Sequence, residues 1–303
     1  MTKTVLILGA SGKIGRHANR AFANAGWNVR AYDRATGNMT KAALGADVIV
    51  NGMNPPAYHN WAEILPQTTA QTIAAAKASG ATVIIPGNVY NFGATGGTWS
   101  QTTPQNPNTR KGQLRKDMEL AYRAAGVRTI ILRAGNFIDP DSDEDVMGLV
   151  ILRAVKRGKI THPGRPDAMQ TYAYLPDWAR AAVALAEMRS ELAPFEDIPF
   201  PGHAFTLIEL QAEILAQTGR SLKPTGFPWL LMRLTAPFWE LARELMEMRY
   251  LWSLDHRLDN ARFDQLLPGF EPTNLKDVVR ASLPAEFNPN QTVRPGKLAV
   301  SAQ

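Results

Sequence analysis

Apolar and polar positions fall into two alternating periods along the first half of the chain. Val5 to Leu8 is a short apolar run that reads as a buried strand. A glycine-rich turn separates it from a helical pattern over Ile14 to Ala25, with Gly26 placed for the helix's C-terminal side. A second strand pattern, Asn28 to Tyr32, ends at Asp33; a third, Asp47 to Val50, runs into the turn-rich Asn51-Gly52-Met53-Asn54-Pro55-Pro56. A helix around Trp61 to Ser79, a strand at Ala81 to Ile85, a helix near Gln113 to Ala125 and a strand at Arg128 to Leu132 continue the rhythm. Five βα repeats predict a parallel sheet.

The turn after the first strand carries chemistry. Gly9-Ala10-Ser11-Gly12-Lys13-Ile14-Gly15 has GxxGxxG spacing between a strand and a helix. Glycine lets the backbone turn sharply and approach a pyrophosphate without a Cβ in the way, and the helix that follows offers free N–H groups and its positive dipole end. Gly9, Ser11, Gly12, Lys13, Ile14 and Gly15 are therefore candidate cofactor-binding residues for NAD or NADP. Asp33, at the end of the second strand, suits the adenosine ribose hydroxyls of NAD and would repel a 2′-phosphate. Arg34, Lys13 and Arg16 argue the other way, because a guanidinium beside that ribose could pair with a 2′-phosphate. The reading leans toward NAD and leaves NADP open.

From about Gly135 the rhythm breaks into shorter elements and turns such as His162-Pro163-Gly164-Arg165-Pro166. The expected fold is α/β: a Rossmann doubly wound parallel sheet with a smaller C-terminal substrate lobe. Residues 1–160 form mainly the nucleotide domain. Residues 161–283 form mainly the lobe, with some elements returning to the Rossmann core, and 284–303 form a tail. Pro176 to Met188 reads as a helix with proline near its first turn, and Thr206 is the expected N-cap of a helix over Thr206 to Gln217. Pro228 to Trp252 is an amphipathic helical region rich in Trp, Leu, Met and Phe. Pro237 and interspersed charges make it too irregular to span a bilayer, so it predicts core or subunit contact, with a homo-oligomer left open.

Several segments resemble the extended and atypical short-chain dehydrogenase/reductases, the NAD-dependent epimerase/dehydratase group. Besides the glycine loop they are Gly45 to Val50, Asn88-Val89-Tyr90-Asn91-Phe92-Gly93, Leu132 to Ile138 and Tyr172 to Ala179. In that family a Ser or Thr and a Tyr-x-x-x-Lys pair perform the redox chemistry, and this chain departs from both. Aligning Gly112 and Glu119 with the family pattern puts Lys111 at the Tyr and Arg115 at the Lys, while Ile85-Pro86-Gly87-Asn88 supplies no hydroxyl. The catalytic candidates are then Tyr90, Lys111 and Arg115. Lys111 could act as an acid or base only if burial or a positive neighbour depressed its pKa.

Asn88 and Asn136 lie just beyond the carboxyl ends of predicted strands four and five, the edge at which open α/β sheets bind ligands, and are candidate pocket residues. His162, Arg165, Gln170 and Tyr172 are candidate substrate contacts in the lobe. The five histidines show no ligand spacing with Asp or Glu on one helix face, so no metal is expected. Two functions follow: an NAD(P)-dependent oxidoreductase or epimerase-like enzyme acting on a small polar metabolite, or a non-enzymatic NAD(P)-binding sensor or scaffold of the NmrA-like kind, which the missing Ser, Tyr and Lys would suit.

Composition narrows the field. The 33 Lys and Arg against 27 Asp and Glu give a net charge of +6, but no block of like charge stands out, so a nucleic-acid partner is not expected. Cysteine is absent, which excludes disulfides, thiolate nucleophiles and cysteine-bound metal. The first residues lead straight into a strand without an export signal, so the expected compartment is the cytoplasm.

Overall fold

The computed structural model describes residues 2–35 and 37–287. The first half runs β1 (Thr4–Leu8), α1 (Lys13–Asn24), β2 (Asn28–Ala31), α2 (Met39–Ala43), β3 (Val48–Asn51), α3 (Trp61–Ser79), β4 (Thr82–Gly87), β5 (Gly97–Trp99), α4 (Arg110–Ala125) and β6 (Thr129–Arg133). The second half runs β7 (Asn136–Ile138), β8 (Lys159–His162), β9 (Gln170–Tyr174), α5 (Leu175–Glu187), β10 (Phe195–Pro199), β11 (His203–Phe205) and α6 (Leu207–Thr218). It ends with β12 (Lys223–Gly226), α7 (Trp229–Thr235), α8 (Glu240–Glu247), β13 (His256–Leu258), α9 (Ala261–Leu266) and α10 (Leu275–Ser282).

The central sheet has six parallel strands in the order β10-β6-β4-β3-β1-β2. Both of its faces are dry, which is why its strands read as continuous apolar runs rather than alternating ones. Val5 and Ile7 of β1 pack with α1 and α5 through Ala18, Phe22, Trp178 and Ala182. Leu6 and Leu8 point to the other face, against Met39 of α2 and Trp61 and Leu65 of α3, in a cluster that also holds Met118 and Tyr122 of α4. Each Val, Leu, Ile, Phe or Met side chain among them contributes about 1.5–3 kcal/mol on burial. The α/β, doubly wound arrangement expected from the sequence is the one observed.

The sheet's sixth strand, β10, and the helix α5 come from beyond residue 160. Sequence alternation could not show this, because β10 (Phe-Glu-Asp-Ile-Pro) carries two acids. Asp197 is held there by Arg133, a buried guanidinium that also pairs with Glu119 at 2.8 Å and donates to the Asn88 carbonyl at 2.6 Å. Smaller sheets, β11-β9-β7, β12-β8 and β13-β5, build the C-terminal lobe beside the carboxyl edge of the main sheet. Thr206 caps α6 with the reciprocal Glu209 bond of a capping box. The α4 helix begins three residues earlier than the pattern implies, because the Thr109 hydroxyl accepts from the Gly112 amide and caps it. Of the expected tail, Phe287 is buried in the lobe's core; residues 288–303 lie outside the described residues.

Candidate functional site

Strand order reverses between β1 and β3, and that switch point is where a crevice opens at the carboxyl edge of an open α/β sheet. Two glycines make the crevice compact. Gly9 has φ +73°, and a Cβ there would sit 3.1 Å from the Met53 amide nitrogen; a Cβ on Gly15 would overlap the Gly9 carbonyl. Gly12 is the N-cap of α1, so no side chain covers the first-turn amides, and no acid stands in that turn. Ser11, Gly12, Lys13 and Ile14 line a cleft of about 720 Å³ whose far wall is Asn54, Tyr58, Asn88, Arg115 and Asn136. The loop fits an anionic phosphate group: uncapped amides and a positive dipole end facing open space.

The turn after β3 bears much of the remaining wall. Ala57, Tyr58 and Asn60 all have positive φ, a conformation non-glycine residues adopt at a cost of order 1 kcal/mol or more each. It places the Tyr58 hydroxyl 3.2 Å from that of Tyr90. Burial pushes the Tyr58 phenol well above its ordinary pKa, with Tyr90 adding to the shift and Arg115 opposing it. Arg115 lies over the Trp61 ring at 4.6 Å and donates to Asn54 Oδ1 at 2.6 Å. Burial lowers the guanidinium's pKa, against the pull of Tyr90 and Glu119.

Lys111 has a different environment. It is fully buried, its ammonium bonded to the carboxylates of Glu244 and, at 2.5 Å, Glu247 on α8, and it lines neither cleft. The residue at the family's Tyr position thus ties the nucleotide half to the lobe. Carboxylates from α8, invisible to a reading of α4 alone, decide this.

The other expected site residues separate. Asn88 and Asn136 line both clefts. Asp33 and Arg34 are exposed after β2 and line neither; an Asp33 carboxylate oxygen accepts from the Ala35 amide at 2.9 Å. Arg165 is on the surface, paired with Asp167 and Asp255. Tyr172 is a core residue, stacked on Phe205 at 4.1 Å. His162 is half-buried, its pKa lowered by burial, and lines neither cleft. Gln170 lines the second cleft, but its amide is engaged by the Leu251 and Leu254 carbonyls. Sequence reasoning missed Asn54 and Tyr58, although their place just after the third strand was the available signal.

A second cleft of about 570 Å³ opens from the first, sharing Tyr58, Asn88, Tyr90 and Asn136. Its outer wall is the Pro228–Trp252 region: Trp229, Met232, Trp239, Leu245 and Trp252. The amphipathic segment expected to serve core or subunit contact therefore also encloses a cavity. His17, Asp139 and Asp141, far apart in sequence, bring three ligand atoms within 4.8 Å of one another. Arg16 and Arg20 already pair the two carboxylates, so the group is balanced without a metal. Among the described residues no helix is long and apolar enough to cross a membrane.

The model of the RmlD substrate binding domain family matches residues 2–162, more than half of the chain. A search of curated proteins found no match. Among solved structures the fold is similar to MoeE5 in complex with UDP-glucose and NAD: TM-score 0.73, 15% identity, covering 94% of this chain and 98% of that one. UDP-glucose 4-epimerase from Brucella ovis in complex with NAD gives 0.70 at 18% identity, over 92% and 97%. TunA, an NAD-dependent NDP-hexosamine 5,6-dehydratase of tunicamycin biosynthesis, gives 0.71 at 14%, over 96% and 99%.

Proposed function

The chain belongs to the RmlD substrate binding domain family, among the extended short-chain dehydrogenase/reductases, and from that premise we propose that it is an NAD-dependent oxidoreductase or epimerase-like enzyme. The observation that carries this reading is the continuity of two clefts. One is floored by an uncapped helix N-terminus and a glycine turn, the other is closed by the lobe, and both share Tyr58, Tyr90, Asn88 and Asn136. The NAD found with similar structures fits the first cleft, where the amides of the Gly9–Gly15 loop would hold its pyrophosphate.

Bound NAD supplies a hydride acceptor or donor. The protein's part is to hold the substrate's oxygen and move its proton. Tyr90 reaches both clefts, and its hydroxyl is the proton carrier in place of the family's phenol. Tyr58, kept protonated at neutral pH by burial, shares a hydrogen bond with the Tyr90 hydroxyl, while Arg115 adds positive charge beside the pair. Arg115 takes over the charge of the family's Lys from the same helix position.

Titration with NAD, NADH, NADP and NADPH, followed by a search for turnover across carbonyl and alcohol substrates, tests the proposal. Binding of NAD with turnover supports it; failure to bind any of the four overturns it. Tight binding without turnover would favour a sensor. Tyr90→Phe is expected to lower kcat at least 100-fold with an unchanged NAD affinity; an unchanged kcat would remove Tyr90 from the chemistry. Asp33→Ala is expected to weaken NAD more than NADP, and equal effects on the two would show that this carboxylate does not read the ribose.

A further inference from the structure

The second cleft is built unlike a site for a phosphate-bearing sugar. A sugar nucleotide presents many hydroxyls and a dianionic diphosphate, which call for a set of polar donors and cations along the wall. Here the outer wall carries Phe227, Trp229, Met232, Trp239, Leu245 and Trp252. Two polar side chains on that side, Gln170 and His256, are already engaged. The Gln170 amide donates to the Leu251 and Leu254 carbonyls, and His256 is stacked on Trp99 at 4.7 Å with Nδ1 2.9 Å from the Leu254 carbonyl oxygen. Two cations border the cleft, Lys13 and Arg153; Lys13 is bonded to the Glu144 carbonyl and Arg153 is exposed. Polar side chains concentrate instead at the junction with the first cleft, in Tyr58, Tyr90, Asn88 and Asn136.

We infer that the second cleft binds an apolar, ring-bearing compound with one carbonyl or hydroxyl group, the ring system against the Trp and Leu wall and the oxygen at the Tyr58–Tyr90 junction. Flat aromatic side chains and aliphatic ones from α7 and α8 offer dispersion contact and exclude water, with few hydrogen bonds to place elsewhere on the ligand. A cavity of about 570 Å³ accommodates two to four fused rings. The small polar metabolite expected from the sequence is not what this lining selects. The inference deepens the proposed function and rests on it only for what happens at the oxygen; occupancy of the wall stands separately.

The test is isothermal titration calorimetry of the full chain with 2-decalone and, separately, with UDP-glucose, each with and without NADH and at several temperatures. The expected result is that 2-decalone binds at least tenfold tighter than UDP-glucose, with a negative heat-capacity change on binding. Leu245→Gln and Trp239→Ala, at partly exposed positions, are expected to weaken 2-decalone about tenfold and to leave NADH affinity and Tm unchanged. Tighter binding of UDP-glucose, or 2-decalone affinity indifferent to both substitutions, overturns the inference. If NADH binds and 2-decalone does not, the inference falls and the proposed function stands. If 2-decalone binds and NADH does not, the proposed function falls and the apolar site stands.

Discussion

The two clefts share a wall and are made of different materials. The first is shaped by backbone: glycines that let β1, α1 and the turn after β3 close on one another, leaving amides open at the α1 terminus. The second is shaped largely by side chains on and beside two short helices, α7 and α8, of which α8 attaches to the nucleotide half through ion pairs with Arg110 and Lys111. A site made of backbone presents the same chemistry in every relative that keeps the turn. A site made of side chains can change its ligand by substitution while the fold stays. This contrast accounts for a glycine turn that resembles a large family beside a Trp- and Leu-rich wall set by the lobe's own side chains.

Substitutions can break the contrast in order of size. Gly15→Val puts side-chain atoms where the Gly9 carbonyl stands, so the first cleft should fail as a unit. The expected result is loss of more than 100-fold in NAD affinity with a lowered Tm, measured by titration and thermal melting; a variant that still binds NAD would show that the turn tolerates a Cβ.

Next in size is the attachment of α8. Lys111→Ala leaves Glu244, which is 2% exposed, without its ammonium, and the cost is expected at about 3–5 kcal/mol by denaturant unfolding. Pairing Lys111→Met with Glu244→Gln should recover most of that loss, because the buried carboxylate goes with the ammonium and the Glu247 carboxylate left behind is 23% exposed. A double variant as unstable as the single would mean that packing, rather than charge, holds α8 in place.

The smallest effect concerns the inner end of the second cleft. Burial holds the His256 imidazole below its ordinary pKa, opposed by its bond to the Leu254 carbonyl and by Asp255. The unfolded chain takes up that proton in the ordinary histidine range and the folded chain resists, so this contribution is complete above the range and lost as pH falls through it. His162 and His203 are shifted the same way by burial. His256→Gln should therefore make the fall in Tm between about pH 7 and pH 5 shallower without abolishing it. An unchanged slope would show that this histidine is not buried neutral.

Local pattern carried much of the first half. The run Val5 to Leu8, the glycine spacing and the helix over Trp61 to Ser79 were legible because each is decided within one element and its turn. Lys111 and Tyr172 were not. Aligned on the family's helix Lys111 looks chemical, yet Glu244 and Glu247, more than 130 residues later, make it a tie between halves. Tyr172 sits in a polar-looking segment and is core because Phe205 stacks on it.

By itself the sequence determined the parallel sheet, the anion-ready turn after β1 and the loss of the family's Ser, Tyr and Lys. These depend on backbone conformation and residue identity over a few positions, which short-range sterics and hydrophobic period set. Only the tertiary structure decided that Tyr58 meets Tyr90, that Arg115 faces the cleft while Lys111 does not, and that the Trp-rich segment encloses a cavity. Those facts depend on which distant surfaces become neighbours, and that is settled by burying the two faces of the sheet and closing the lobe over its edge, not by any local preference.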